Sequence, residues 1–190
     1  MNSVKHLILV KHSLPEILEN VPAREWHLSE TGEVRARKLA DKLIRYRPEI
    51  IVSSIEPKAQ ETASIIAENL GLEIQVIDGL YEHDRSGGPY YSKDEFQNLV
   101  REFFENPDEL IFGNETASSA LVRFRQTVDF VLNSYDNKNI VAVAHGTVIS
   151  LYVSWLTGCD GYNLWNELGL PSFVVLDIQS KTLMNTENLT

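Results

Sequence analysis

The sequence predicts an α/β fold, a three-layer sandwich whose mostly parallel central sheet is flanked by helices on both faces. Three observations predict it. Short apolar runs alternate along the chain with stretches of helical periodicity. The runs are apolar without alternation, as in strands covered on both sides. Three of them end in residues suited to chemistry: Lys11-His12-Ser13, Ser53-Ser54 and His145-Gly146-Thr147. Open α/β sheets place their ligands at the carboxyl ends of strands, so parallel neighbours would gather these three exits along one edge.

The elements follow in order. Leu7-Ile8-Leu9-Val10 is the first strand, running out of Met1 to Lys5 with His6 at its start, and the Leu14 to His27 segment is a loop punctuated by Pro15 and Pro22. Ala36, Leu39, Ala40, Leu43 and Ile44 fall at helical spacing, with charged residues opposite, and the helix stops before Pro48. Ile50-Ile51-Val52 is a strand. Pro57 suits the first turn of the next helix, which Gly71 closes. Ile74 and Val76 mark a third strand before a loop, Gly79 to Pro89. Ser92 and Glu95 form a capping box ahead of Phe96, Leu99, Val100, Phe103 and Phe104. A further helix starts near Thr116. Ile140 to Ala144 is the strongest strand signal, Val148 to Leu156 a largely buried helix, and Phe173 to Leu176 the final strand before a polar tail.

The 190 residues suit one domain spanning 1–190, with a small helical insertion around 89–115. With 27 acidic against 17 basic residues, the net charge of −10 argues against nucleic acid or an anionic membrane as partner. A few cations in a cleft still suffice for a small anionic substrate. No apolar run reaches the ~18 residues of a membrane span, and the first residues do not read as a signal peptide. The single cysteine, Cys159, rules out an intramolecular disulfide and suits a reducing compartment. A cytoplasmic protein is expected.

His12 and His145 each follow a buried strand directly. One such histidine is ordinarily structural; two at equivalent exits point to a site. A metal centre lacks support, since no paired His-x-x-x-His or Cys-x-x-Cys occurs. A serine hydrolase lacks its Gly-x-Ser-x-Gly elbow. What remains is phosphoryl transfer through a histidine nucleophile, with cations holding the equatorial oxygens. Lys11, Lys58 and His145 are the candidate clamp. Glu82, in a glycine-containing loop, is the candidate general acid.

These residues resemble the histidine phosphatase superfamily, the phosphoglycerate-mutase-like proteins. Leu9-Val10-Lys11-His12-Ser13 is similar to the family's Arg-His-Gly signature, and Leu28-Ser29-Glu30-Thr31-Gly32 to its Leu-Thr-Glu-x-Gly helix start. Ser53 to Ala63 is close to Ser-Ser-x-x-x-Arg-Ala-x-Gln-Thr-Ala, and Ala144-His145-Gly146 resembles the second histidine motif. Leu80-Tyr81-Glu82 falls where the family keeps its acid, and Asn114-Glu115-Thr116 resembles its Gly-Glu-Ser segment. The resemblance implies that His12 is the phosphorylated nucleophile and Glu82 the proton donor, with Lys11, Lys58 and His145 in phosphate-pocket positions; His12, Glu82 and His145 are the expected catalytic residues. Lys11, Lys58, Ser13, Ser54, Arg85 and Gly146 are the candidate phosphate contacts, and the resemblance implies neither metal nor organic cofactor.

The chain departs from the pattern at three positions. Lys11 and Lys58 stand where the family has arginine, and Ser13 where it has glycine. Lysine keeps the charge but loses the planar fork that grips two phosphate oxygens. The expected function is hydrolysis of a small soluble phosphomonoester through phosphohistidine at His12. The alternative is a catalytically impaired member that binds a phospho-ligand or partner protein; a phosphoglycerate-mutase-type isomerase is third. The expected partner is a small phosphorylated substrate or inorganic phosphate, with selectivity set by the 14–27 loop and the 85–114 segment. Oligomeric state has no readable signal.

Overall fold

The computed structural model describes residues 6–89 and 91–189. Met1 to Lys5, read as the run into the first strand, lie outside the described residues, as do Tyr90 of the expected insertion and Thr190. Among the described residues six strands form one sheet: β1 (His6–Lys11), β2 (Ile50–Ser53), β3 (Ile74–Val76), β4 (Ile140–Ala144), β5 (Ser172–Asp177) and β6 (Thr182–Asn188). Their order is β3-β2-β4-β1-β5-β6. The first four are mutually parallel, β5 is antiparallel to β1, and β6 is antiparallel to β5. Six α-helices among the described residues flank this mixed sheet: α1 (Glu30–Leu43), α2 (Pro57–Leu70), α3 (Lys93–Glu105), α4 (Ala117–Ser134), α5 (Gly146–Thr157) and α6 (Gly161–Glu167).

The continuous apolar runs explain the layering. Successive side chains of a strand face opposite ways, and both ways are dry here. Leu7, Leu9, Ala142 and Val174 join Phe103, Phe124, Val128, Ile149 and Tyr152 of α3, α4 and α5 in one core. Ile8, Val10, Val141 and Val175 join Leu39, Leu43, Ala63 and Ile66 of α1 and α2 in the other. Ile8 is fully buried, so truncating it to alanine costs about 2–5 kcal/mol.

Local chemistry starts and stops the helices as the sequence predicts. Ser29 accepts from Gly32 N at the head of α1, Ser92 and Glu95 complete a capping box on α3, and Thr116 caps α4. Pro57 opens α2, and Gly71 ends it with φ +67°. Gly32 has a second duty, because a Cβ there would stand 2.1 Å from the Leu14 carbonyl oxygen. Only glycine lets the first turn of α1 lie against the loop that follows His12.

The structure corrects one expectation and adds one element. The residues after Lys181 are not a polar tail beyond the final strand; Thr182–Asn188 is β6, paired along β5. Its sequence looks polar because an edge strand keeps one side in water, and charged or polar edges discourage pairing with other chains. The apolar helix α5 is followed by α6, a seven-residue helix capped by Asp160; it is too short to show periodicity.

Candidate active site

The strands carrying the three exits, β2, β4 and β1, are adjacent and parallel. His12 N donates to Ala144 O at 3.0 Å and Ser54 N to Val143 O at 2.9 Å, so the ladders continue one residue past the strands on both sides of β4. The His12 and His145 rings consequently meet edge to face, 5.1 Å between centroids.

His12 is buried, and its Nδ1 lies 2.8 Å from Ser13 O. A carbonyl oxygen only accepts, so Nδ1 carries the proton and Nε2 holds the lone pair. Among the described residues no hydrogen bond reaches Nε2. Burial first, then His145, Lys58 and Lys11, hold the His12 pKa well below the ordinary histidine value. The ring is thus neutral and nucleophilic at physiological pH.

His145 is fully buried at the N-cap of α5, its Nε2 2.8 Å from Ser54 Oγ and 3.4 Å from Glu56 Oε1. Burial pushes its pKa down to about 3, against the opposing pull of Glu82. It too is neutral at pH 7. Lys11 reaches across the start of α5 and donates to Leu168 O at 2.6 Å. Gly146 makes room for it, since a Cβ there would come within 3.0 Å of Lys11 Cε and 3.3 Å of Nζ. Burial lowers the Lys11 pKa to about 8, with Glu82 pulling the other way. Lys58 is buried and donates to Glu56 Oε2 and Ala23 O, both at 2.5 Å.

Glu82 sits on the N-terminus of α5. Its carboxylate accepts from Thr147 N at 3.1 Å, Val148 N at 3.3 Å and His83 N at 2.9 Å. Thr147 N and Val148 N are donors that a helix start leaves unpaired, at the positive end of its dipole. Burial alone would raise the Glu82 pKa; His145, Arg85 and the backbone donors outweigh it, and the net shift is downward.

The remaining expected residues are placed as follows. The Ser13 hydroxyl donates to Gly32 O at 2.6 Å and Ser13 N donates to Thr62 Oγ1 at 2.9 Å, which ties the His12 turn to α1 and α2. Ser54 Oγ, besides facing His145, accepts from Glu56 N at 3.3 Å. The Arg85 guanidinium lies 4.6 Å from the Phe96 ring centroid, and its field reaches Glu82, His83 and His145. His83 packs between Phe103 and Phe112 with Nε2 3.1 Å from Glu115 O. His27 pairs at the surface with Glu61.

Two residues of the site carry no signal in the sequence. Glu56, 7% exposed, joins Lys58, His145 and the Glu82 backbone. Arg123 of α4 braces the acid loop from behind: it pairs with Glu115 at 2.5 Å and donates to the carbonyls of Gly79, Tyr81 and Glu82. An acid at a helix N-cap and an arginine on an amphipathic helix both look like ordinary surface residues in a sequence. Among the described residues, no group of three or more His, Cys, Asp or Glu is placed to hold a metal ion, and no helix is long and apolar enough to cross a membrane.

Two neutral histidines at adjacent strand exits, ringed by lysines and faced by a carboxylate on a helix N-terminus, have the makings of a phosphate-handling site on an α/β sheet. Comparison with known proteins agrees with that class. Residues 7–185 match the histidine phosphatase superfamily (branch 1). The chain is 30% identical over 174 residues to "Putative phosphoserine phosphatase 2" of Hydrogenobacter thermophilus, covering 86% of this chain and 84% of the relative. It is 27% identical over 168 residues to phosphoserine phosphatase 1 of the same organism, covering 84% and 80%. Among solved structures, a phosphoserine phosphatase from Entamoeba histolytica in complex with phosphoserine superposes with a TM-score of 0.78 at 20% identity, covering 96% of both chains. A mycobacterial glucosyl-3-phosphoglycerate phosphatase with inorganic phosphate gives 0.74 at 22% identity, over 98% and 97%. The chain belongs to the histidine phosphatase superfamily. Its curated relatives carry phosphatase names, which puts it among the small-molecule phosphatases of that superfamily.

Proposed function

We propose that this protein hydrolyses a small soluble phosphomonoester through a phosphohistidine on His12 Nε2. The observation that carries the reading is the His12–Ser13 hydrogen bond. It fixes the protonated nitrogen and leaves the other as the lone-pair donor, with His145, Lys58 and Lys11 close enough to act on the ring. Nε2 attacks phosphorus in line, and the lysines take up the charge on the equatorial oxygens. Glu82 is ionised before substrate arrives. An incoming phosphate adds negative charge beside it and raises its proton affinity, which readies it to protonate the departing oxygen. The same carboxylate then takes a proton from the water that cleaves phosphohistidine.

We read Lys11-His12-Ser13 as an atypical form of the family's Arg-His-Gly and place the protein in the cytoplasm, free of nucleic acid and membrane. Phosphoserine and glucosyl-3-phosphoglycerate, the compounds in the names of the relatives and structural neighbours above, are the first substrates to try. The test is a phosphomonoester panel with a His12→Ala control, combined with trapping of an acid-labile phosphoryl group on His12. Activity surviving His12→Ala removes the nucleophile.

One observation favours a second reading, binding without turnover. Both clamp lysines already have acceptors in the protein, Leu168 O for Lys11 and Glu56 with Ala23 O for Lys58. Phosphate binding without a trapped phosphoryl group would support it.

A further inference from the structure

Glu56 is the N-cap residue of α2, yet its side chain makes no cap bond. It turns inward instead, toward Lys58, His145 and the Glu82 backbone. Oε2 accepts from Lys58 Nζ at 2.5 Å, and Oε1 accepts from Glu82 N at 2.9 Å while lying 3.4 Å from His145 Nε2. A buried carboxylate at this place opposes the binding of any anion and cancels the charge of the lysine it holds.

The charges facing the pocket come from every element around it. β1 brings Lys11 and the neutral His12; α2 brings Lys58 and, at its cap, Glu56. The loop after β3 brings Glu82 and Arg85, and the start of α5 brings neutral His145. Arg123 of α4 also acts on His145, but it is paired with Glu115. Three cations that act on the site, Lys11, Lys58 and Arg85, stand against two carboxylates, Glu56 and Glu82. One positive charge is left over. A singly ionised phosphate group balances it, whereas a dianion leaves the buried site with an uncompensated negative charge, which is costly.

We propose that Glu56 sets the charge of the pocket so that it takes the singly ionised form of a phosphate group in preference to the dianion. Glu56 is then a specificity-determining residue of the site described above, and the inference rests on that site being a phosphate pocket. Without its carboxylate the pocket would carry a second positive charge and favour dianions.

Calorimetric titration of the full chain with inorganic phosphate and with sulfate separates the two claims. At about pH 5.5, below the second ionisation of phosphate groups near 6, phosphate is mostly the monoanion, while sulfate remains a dianion of similar shape. The unsubstituted protein is expected to bind phosphate at least about tenfold more tightly than sulfate, because one uncompensated charge in a partly desolvated pocket is worth that much or more. Glu56→Gln keeps an acceptor for Glu82 N and is expected to tighten sulfate binding at least about tenfold, whereas Glu56→Asp keeps the preference. Equal affinities for the two anions in the unsubstituted protein overturn the proposal whether or not the variants fold. So does a Glu56→Gln protein, folded by its thermal transition, whose sulfate affinity is unchanged or weaker. Absence of phosphate binding altogether removes the phosphate pocket and this inference with it.

Discussion

Replacing Glu82 with glutamine separates its chemical role from its structural one. The substitution preserves shape and removes the proton. If Glu82 protonates the leaving oxygen, kcat/KM on an alkyl phosphate such as phosphoserine falls by about 10²–10⁴-fold, the usual contribution of a positioned general acid. p-Nitrophenyl phosphate expels a stable phenolate that needs no proton, so its hydrolysis falls by less than about tenfold. Stability changes as well. The carboxylate accepts three backbone N–H groups, two of them from the first turn of α5. Charge-assisted bonds of this kind contribute about 1.5–3 kcal/mol each, and an amide can turn only one acceptor oxygen toward them. Its NH₂ then confronts a backbone donor. We expect a loss of about 2–4 kcal/mol, read from urea midpoints. Equal losses of kcat/KM on the two substrates, in a protein that remains folded, would refute the acid assignment.

Three other perturbations test the frame around the site. His145, with a folded pKa near 3 against an ordinary 6.5, takes up its proton in the unfolded chain first. Its contribution to stability is complete above about 6.5 and is lost as the pH falls toward 3, at up to about 1.4 kcal/mol per pH unit. His12 is shifted in the same direction. Urea midpoints between about pH 7 and 5 should therefore fall steeply, and His145→Gln should flatten that slope by one proton's worth. Lys58→Met strands Glu56 in a buried site and should cost about 3–5 kcal/mol, much of it recovered in a Glu56→Leu, Lys58→Met double variant; no recovery would mean that the pair is not electrostatically coupled. Arg123→Ala breaks the Glu115 pair and frees three carbonyls of the acid loop, so kcat should drop at least about tenfold with little change in KM, because the partners it holds are Glu115 and the backbone that carries Glu82. An unchanged kcat would show that the loop holds itself.

How much of the fold and site was legible in the sequence depends on whether a residue announces itself locally. The strands beneath His12 and His145 did, because a run such as Ile140 to Ala144 fits little besides a doubly covered strand. Ser92 with Glu95 did, because a capping box is a four-residue affair. The adjacency of β2, β4 and β1 was inferred only on the condition that the strands be parallel neighbours, and pairing at long range has no local signature. Glu56 was invisible for a related reason. Its importance lies in partners from the acid loop and from the start of α5 that only the fold brings close. Arg123 lies on a helix whose periodicity gives its position but not its contacts. β6 hid behind its polarity, since the rules that find buried strands are blind to edge strands built to stay wet.

The sheet order also governs how the protein can be made. β4 lies between β1 and β2, and the other neighbour of β1 is β5. Leu7 through Lys11, four of them fully apolar and buried in the end, thus have no strand to pair with until residues 140–144 have been synthesised. A nascent chain that has emerged only through α4 carries His12, Ser54, Lys58 and Glu82, yet has no site and no mate for its most apolar strand. Closing contacts so distant in sequence is slow, and the waiting strand is the segment most exposed to association with other chains. Overexpression should therefore yield aggregates from chains truncated before Ile140 and soluble protein only once β4 and β5 are included.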